Sequence, residues 1–88
     1  MTEVVQNVRT ELRQYIEENF LYLHPGLELK DDDQFLTLGI VDSLGFVELV
    51  EEVQARYAIT VEDVEITEEN FGSIDAIVAY VEQKRRSA

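Results

Sequence analysis

Asp42, Ser43 and Leu44 stand directly ahead of an apolar, acidic run, and the potential chemistry of the chain concentrates there. Asp and Ser favour helix N-caps because their side-chain oxygens accept the unpaired N–H groups of a first turn. The pair therefore predicts a helix start, and capping alone would account for it. The serine adds a nucleophile, but a hydroxyl is a poor one unless a base activates it. The sole histidine, His24, sits beside Pro25 with no recognisable triad around it, and it is expected to be a solvated loop residue. A self-contained hydrolase is therefore disfavoured. Metal chemistry fares no better. A calcium loop beginning at Asp31 needs Gly at its sixth position, where Leu36 stands, and a bidentate Glu at its twelfth, where Asp42 stands. Asp31, Asp32 and Asp33 are expected to be loop residues that cap turns, and no metal ligands are assigned.

Composition narrows the function classes. Eighty-eight residues predict one domain, 1–88, with a single modest core and no separate catalytic lobe. Hydrophobic residues make up 45% of the chain, so a folded state is expected despite the charge. Seven basic against nineteen acidic residues give a net charge of −12, which repels nucleic-acid phosphates and anionic lipid and favours partners with basic surfaces. There is no cysteine, so no disulfide and no thiolate metal site can form, and thioester chemistry needs a thiol supplied from outside the chain. Met1 to Gln6 lacks the basic start and apolar core of a signal peptide. No run approaches the ~20 apolar residues of a membrane span. A cytoplasmic protein is expected.

The elements that must position Ser43 are helical. Val4, Val5, Val8, Leu12, Tyr15 and Ile16 recur at helical spacing, with Glu3, Glu11, Arg13, Gln14, Glu17 and Glu18 opposite, predicting a helix over roughly 3–19. Phe20 to Val41 shows no sustained period. A loop this long usually has a function or short structure of its own, and its apolar residues, Phe20, Leu21, Leu23, Leu27, Leu29, Phe35, Leu36 and Leu38, predict one pinned to the core. A second helix is predicted from about Ser43 to Tyr57. It places Phe46, Val50, Val53 and Tyr57 on one stripe and leaves Glu48, Glu51, Glu52 and Arg56 on much of the remaining surface. Ala58 to Val61 reads as extended. Thr67 predicts the cap of one short helical turn, ended by Gly72 at positive φ. A last helix follows Ser73, buries Ile74, Ile77, Val78 and Val81, and ends in Lys84, Arg85 and Arg86, where the helix dipole is negative. Three long helices and one short predict an all-α, small antiparallel four-helix bundle with a long loop between the first and second helices.

The run Gly39-Ile40-Val41-Asp42-Ser43-Leu44-Gly45, with Glu48 and Leu49-Val50 behind it, resembles the prosthetic-group site of the acyl and peptidyl carrier proteins. Size, charge and helix order match as well, over about 80 of the 88 residues. The resemblance implies that Ser43 is esterified by 4′-phosphopantetheine drawn from coenzyme A, flanked by Asp42 and Leu44. A phosphopantetheinyl transferase would install the arm, an adenylating acyl or aminoacyl ligase would load its thiol, and downstream acyl-processing enzymes would receive the thioester. It further implies a carrier that is not an enzyme and acts as a monomer, docking through Leu44, Val47, Glu48, Glu51 and Glu52. A phosphodiester at Ser43 would lie on the positive end of its helix. Gly45 stands where fatty-acid carriers often have aspartate, and Glu51 where an apolar docking residue is common. These departures look more like discrete aminoacyl-loading carriers, including the D-alanyl type. Two alternatives stay open: a primary fatty-acid acyl carrier protein, and an acidic helical interaction module with no prosthetic group. A module tolerates Ser43→Ala; a carrier does not.

Overall fold

The computed structural model describes residues 4–87, with side-chain surroundings from Val8 to Arg86. The order is α1 (Val4–Asn19), a first 3₁₀ turn (Leu21–Leu23), α2 (Phe35–Leu38), α3 (Ser43–Tyr57), a second 3₁₀ turn (Asp63–Glu65), α4 (Glu68–Phe71) and α5 (Ile74–Ser87). The described residues contain no strand, and the all-helical expectation holds with its long loop after α1. Glu3 and the side chains of Val4 and Val5, placed on the first helix by periodicity, lie outside the described residues. Neither α2 nor the 3₁₀ turns is visible in the hydrophobic pattern, because three or four residues complete only one turn and establish no period.

Long stretches with a helical apolar stripe bury that stripe together. Leu12 and Ile16 of α1, Leu49 and Val53 of α3, Phe71 of α4, and Ile74, Ile77 and Val81 of α5 share one core and are each 0% exposed. Each such side chain stabilises the fold by about 1.5–3 kcal/mol relative to exposure. Phe20, just past α1, packs against Gly45 near the start of α3. At the other end of α3, the Tyr57 hydroxyl donates to Glu11 at 2.9 Å. The two helices therefore run antiparallel, and the end of α1 is held beside the first turn of α3.

The long loop is held by polar groups as much as by apolar ones. Arg9 donates to Asp31 at 2.7 Å and to Asp75, at the start of α5, at 2.6 Å. Arg13 donates to Asp31 and to the Leu29 carbonyl, and the Asp75 N–H donates to the Asp31 carbonyl at 2.9 Å. Arg13, expected on the solvent side of α1, is thus a clamp on the loop. Of the loop's apolar residues, Leu29 and Phe35 are buried and Phe20, Leu21 and Leu36 pack on the core, while Leu23, Leu27 and Leu38 remain exposed. Asp33 accepts from the Lys30 N–H at 2.8 Å, the turn-capping role expected of the triple aspartate.

Thr67 accepts from the Asn70 N–H and Ser73 from the Ala76 N–H, so both expected caps are present. Gly72 does not have the positive φ expected of it; it is right-handed at φ −80°. Glycine is required there for space, because a Cβ would lie 2.4 Å from the Glu68 carbonyl oxygen and 2.6 Å from Gln34 Oε1. That close approach lets the Phe35 N–H donate to the Gly72 carbonyl at 2.8 Å, tying α2 to the end of α4. The left-handed residue is instead Ala58, at φ 55° after α3, where an extended segment was expected. A non-glycine residue in that conformation costs roughly 1–2 kcal/mol. The Gln54 carbonyl and side-chain oxygens offset it by accepting the N–H groups of Ala58 and Val61.

Candidate functional site

Ser43 is the first residue of α3 and is exposed. The cap is supplied by Asp42, whose backbone is extended at φ −93° and ψ −174° and whose Oδ1 accepts the Gly45 N–H at 2.8 Å. The cap role therefore falls on Asp42, and the Ser43 hydroxyl is not needed for it. Ahead of the cap, Ile40 and Val41 are buried and anchor the approach to the helix, while Gly39, at φ 76°, ends α2 and turns the chain. Buried residues on one side and a capped helix on the other fix the serine in place at the surface.

At about 100° per residue, Ser43, Val47, Glu51, Leu44 and Glu48 fall on one continuous side of α3. The structure leaves all five exposed: Leu44 is 69% and Val47 47% exposed, too much for core residues. The opposite side carries Phe46, Leu49, Val50, Val53 and Tyr57, all buried. Glu52 departs from the expectation of a uniform acidic face. It is half-buried and takes both Nε and Nη2 of Arg56, at 2.9 and 2.6 Å, while the Arg56 guanidinium lies 5.7 Å from the centre of the Tyr15 ring. Hydrogen bonding to Glu52 holds the Arg56 pKa above its usual value. Glu52 is consequently neutralised within the fold, and the uncompensated carboxylates of this side are Glu48 and Glu51.

Gly45 is buried, and a Cβ there would meet Phe20 Cε1 at 3.0 Å, Asp42 Oδ1 at 3.2 Å and Val41 Cγ1 at 3.3 Å. Its lack of a side chain lets Phe20 and the capping carboxylate crowd onto the first turn. Between that turn and the end of α1 lies an open cleft of about 350 Å³ that includes Asp42, Leu44 and Glu48 on one wall and Asn19, Leu23 and His24 on the other. His24 is half-buried on the loop and borders this open cleft. Sequence reasoning assigned none of these opposing residues to the site. Of the three, only Leu23 carries an apolar signal in the sequence, and no local pattern ties Asn19 or His24 to Ser43. Among the described residues no group of three or more His, Cys, Asp and Glu is placed to hold a metal ion.

An exposed serine beginning a helix, with its cap provided by its neighbour and an open cleft alongside, is a site at which a group can be attached without disturbing the fold. It fits a phosphopantetheine ester, because the hydroxyl is accessible and the helix N-terminus favours an anionic phosphodiester. Residues 10–81 match the family described as the phosphopantetheine attachment site. The chain belongs to that family of phosphopantetheine-bearing carrier proteins, and it is a carrier, not a catalyst. A D-alanyl carrier protein of Streptococcus suis (strain 05ZYH33) is 33% identical over 75 residues, covering 85% of this chain and 91% of the relative. Family membership implies a phosphopantetheinyl transferase and a loading ligase as partners. No helix among the described residues is long and apolar enough to cross a membrane.

Proposed function

We propose that Ser43 is the attachment point of the 4′-phosphopantetheine arm and that residues 1–88 act as one monomeric carrier domain, loaded by an adenylating ligase with an aminoacyl or short acyl group. The observation that carries this reading is the division of labour at the start of α3. Asp42 caps the helix, leaving the exposed Ser43 hydroxyl available to a transferase. The other serines are less suited. Ser73 is 4% exposed and its oxygen is engaged as a cap, and Ser87 lacks the surrounding pattern. When bound, the arm supplies the thiol that this cysteine-free chain lacks, and with it a thioester linkage to cargo. Asp42 and Leu44 border the attachment point. Leu44 and Val47 offer apolar contact and Glu48 and Glu51 charge to incoming enzymes, with Glu52 contributing least because Arg56 already neutralises it.

Two residues favour aminoacyl loading over primary fatty-acid synthesis. A Cβ at Gly45 would crowd Phe20, Asp42 and Val41, so the aspartate common there in fatty-acid carriers would fit only if those side chains shifted. Glu51 places a charge on the docking side where an apolar residue is common. The name of the Streptococcus relative agrees with an amino acid as cargo. Dependence on coenzyme A and an adenylated substrate supports a cytoplasmic carrier, from which downstream acyl-processing enzymes would take the cargo.

Incubation with coenzyme A, magnesium and a broad-range phosphopantetheinyl transferase tests the assignment. One phosphopantetheinyl group is expected, mapped by tandem mass spectrometry to Ser43 and lost in Ser43→Ala. Modification elsewhere, or an unmodified chain under conditions that modify a control carrier, overturns it. The modified protein should then be loaded faster by an aminoacyl-adenylating ligase than by a malonyl transferase; equal or faster malonyl transfer overturns the cargo class alone.

A further inference from the structure

The cleft between the end of α1 and the first turn of α3 opens beside the attachment point, and neither the Asp42 cap nor core packing fills it. Residues on both sides of Ser43 in sequence, Asp42 and Leu44, border it. Its volume of about 350 Å³ lies at the small end of the ~300–1,000 Å³ typical of ligand pockets. Its floor and rim are mixed. Phe20, Leu23 and Ile40 give apolar surface, while Asn19 and His24 give hydrogen-bonding groups. The Asn19 amide nitrogen already donates to the Tyr15 carbonyl at 2.9 Å, which fixes the side chain and leaves its oxygen as a free acceptor.

From this geometry we infer that the cleft is the berth of the pantetheine portion of the arm when no enzyme is docked. The inference rests on Ser43 as attachment point and adds where the arm lies. Pantetheine alternates apolar and polar groups: a geminal dimethyl beside a hydroxyl, then two amides. The dimethyl group packs on Leu23 and Phe20, and an amide N–H donates to the Asn19 oxygen. His24 borders the cleft as well, together with Asp42 and Glu48 of the α3 side, and adds ring nitrogens as hydrogen-bonding groups. Tethering makes a weak site effective, because a ligand on a short flexible linker is present at an effective concentration of order millimolar. Leu23, exposed at 66% although apolar, acquires a partner in this arrangement.

The test uses the full-length protein after transfer of an isotope-labelled pantetheine arm. Mass spectrometry first establishes one arm on Ser43; if none is present, the attachment assignment fails and the berth with it. On the modified protein, nuclear Overhauser contacts are expected from the arm's geminal methyl groups to Phe20 and Leu23. Alkylation of the arm thiol should be a few-fold slower than for free pantetheine. Leu23→Gln and Asn19→Ala should each weaken the contacts and restore the alkylation rate. Val64→Gln, at an 85% exposed position on the second 3₁₀ turn, should change neither, and circular dichroism should show all three variants folded. An arm at Ser43 with methyl shifts of free pantetheine, or with contacts to α4 instead, overturns the berth while leaving the attachment point standing.

Discussion

At Ser43 the chain separates two tasks that one residue type can perform. Both Asp and Ser can cap, and the sequence alone leaves open which does so; the structure gives the cap to Asp42. Asp42→Ala should therefore cost about 1 kcal/mol, the usual loss when a capping side chain is removed, and should fray the turn that holds Ser43. Asp42→Asn keeps an acceptor oxygen and should retain most of that stability. Urea denaturation of the two variants checks the difference, and equal stability would show that the cap contributes nothing. The site was legible to this depth because capping is local chemistry, decided by residues three apart. Gly72 illustrates the opposite. Glycine serves both positive φ and close approach, and only the fold tells them apart. Here a Cβ would strike the Glu68 carbonyl, part of a backbone that cannot move aside. Overpacking typically costs ~1–3 kcal/mol, so Gly72→Ala should lie towards the upper end of that range, as read by the denaturation midpoint.

At the scale of the helix, α3 has an apolar side that the period of its sequence located correctly and an acidic side that the period described too simply. Counting charges every few residues makes Glu48, Glu51 and Glu52 equivalent. What distinguishes Glu52 is Arg56 one turn later, held in place by the ring of Tyr15 from another helix. Tertiary context of that kind is invisible in a single periodic stripe. The same applies to the cleft wall from Asn19 to His24, which no local pattern ties to Ser43. Glu48→Lys combined with Glu51→Lys should slow the bimolecular step of transferase modification several-fold at low salt, acting on association. The effect should fade near 1 M salt, where the Debye length is ~3 Å. Glu52→Gln removes a pair that is already internally compensated and should change that rate little. Stopped-flow or discontinuous kinetics at two salt concentrations decide the matter. If Glu52→Gln is as slow as the double reversal, charge on this side acts as a diffuse field and not through the two free carboxylates.

Across the whole molecule, the net charge of −12 opposes compaction while a few paired carboxylates hold the loop in place. The two act in opposite directions as pH falls. Neutralising unpaired carboxylates relieves repulsion, so stability should be level or rise slightly from pH 7 towards 5. Asp31 behaves differently. Hydrogen bonding from Arg13, and then from Arg9, holds its carboxyl below the usual range. Glu65 is also held low, by the Glu62 N–H and then by Lys84 and Tyr80. For a group whose folded pKa lies below its unfolded value, the unfolded chain binds more protons in the window between them, so stability rises with pH across that window. The contribution is full above the ordinary carboxylate pKa of ~4 and is lost as pH falls through the depressed folded value. Thermal melts should accordingly show a maximum near pH 5–6 and a decline below pH ~4. In Asp31→Asn that decline should be shallower, because one of the groups responsible is gone, and the melting temperature at neutral pH should be lower. Salt tests the repulsive term separately. Going from 0.01 to 0.15 M shortens the Debye length from ~30 to ~8 Å, which screens the spread of like charge more than the close Arg9 and Arg13 pairs on Asp31. The melting temperature at pH 7 should rise over that range. A fall would mean that the close pairs, not the net charge, dominate the electrostatics of the fold.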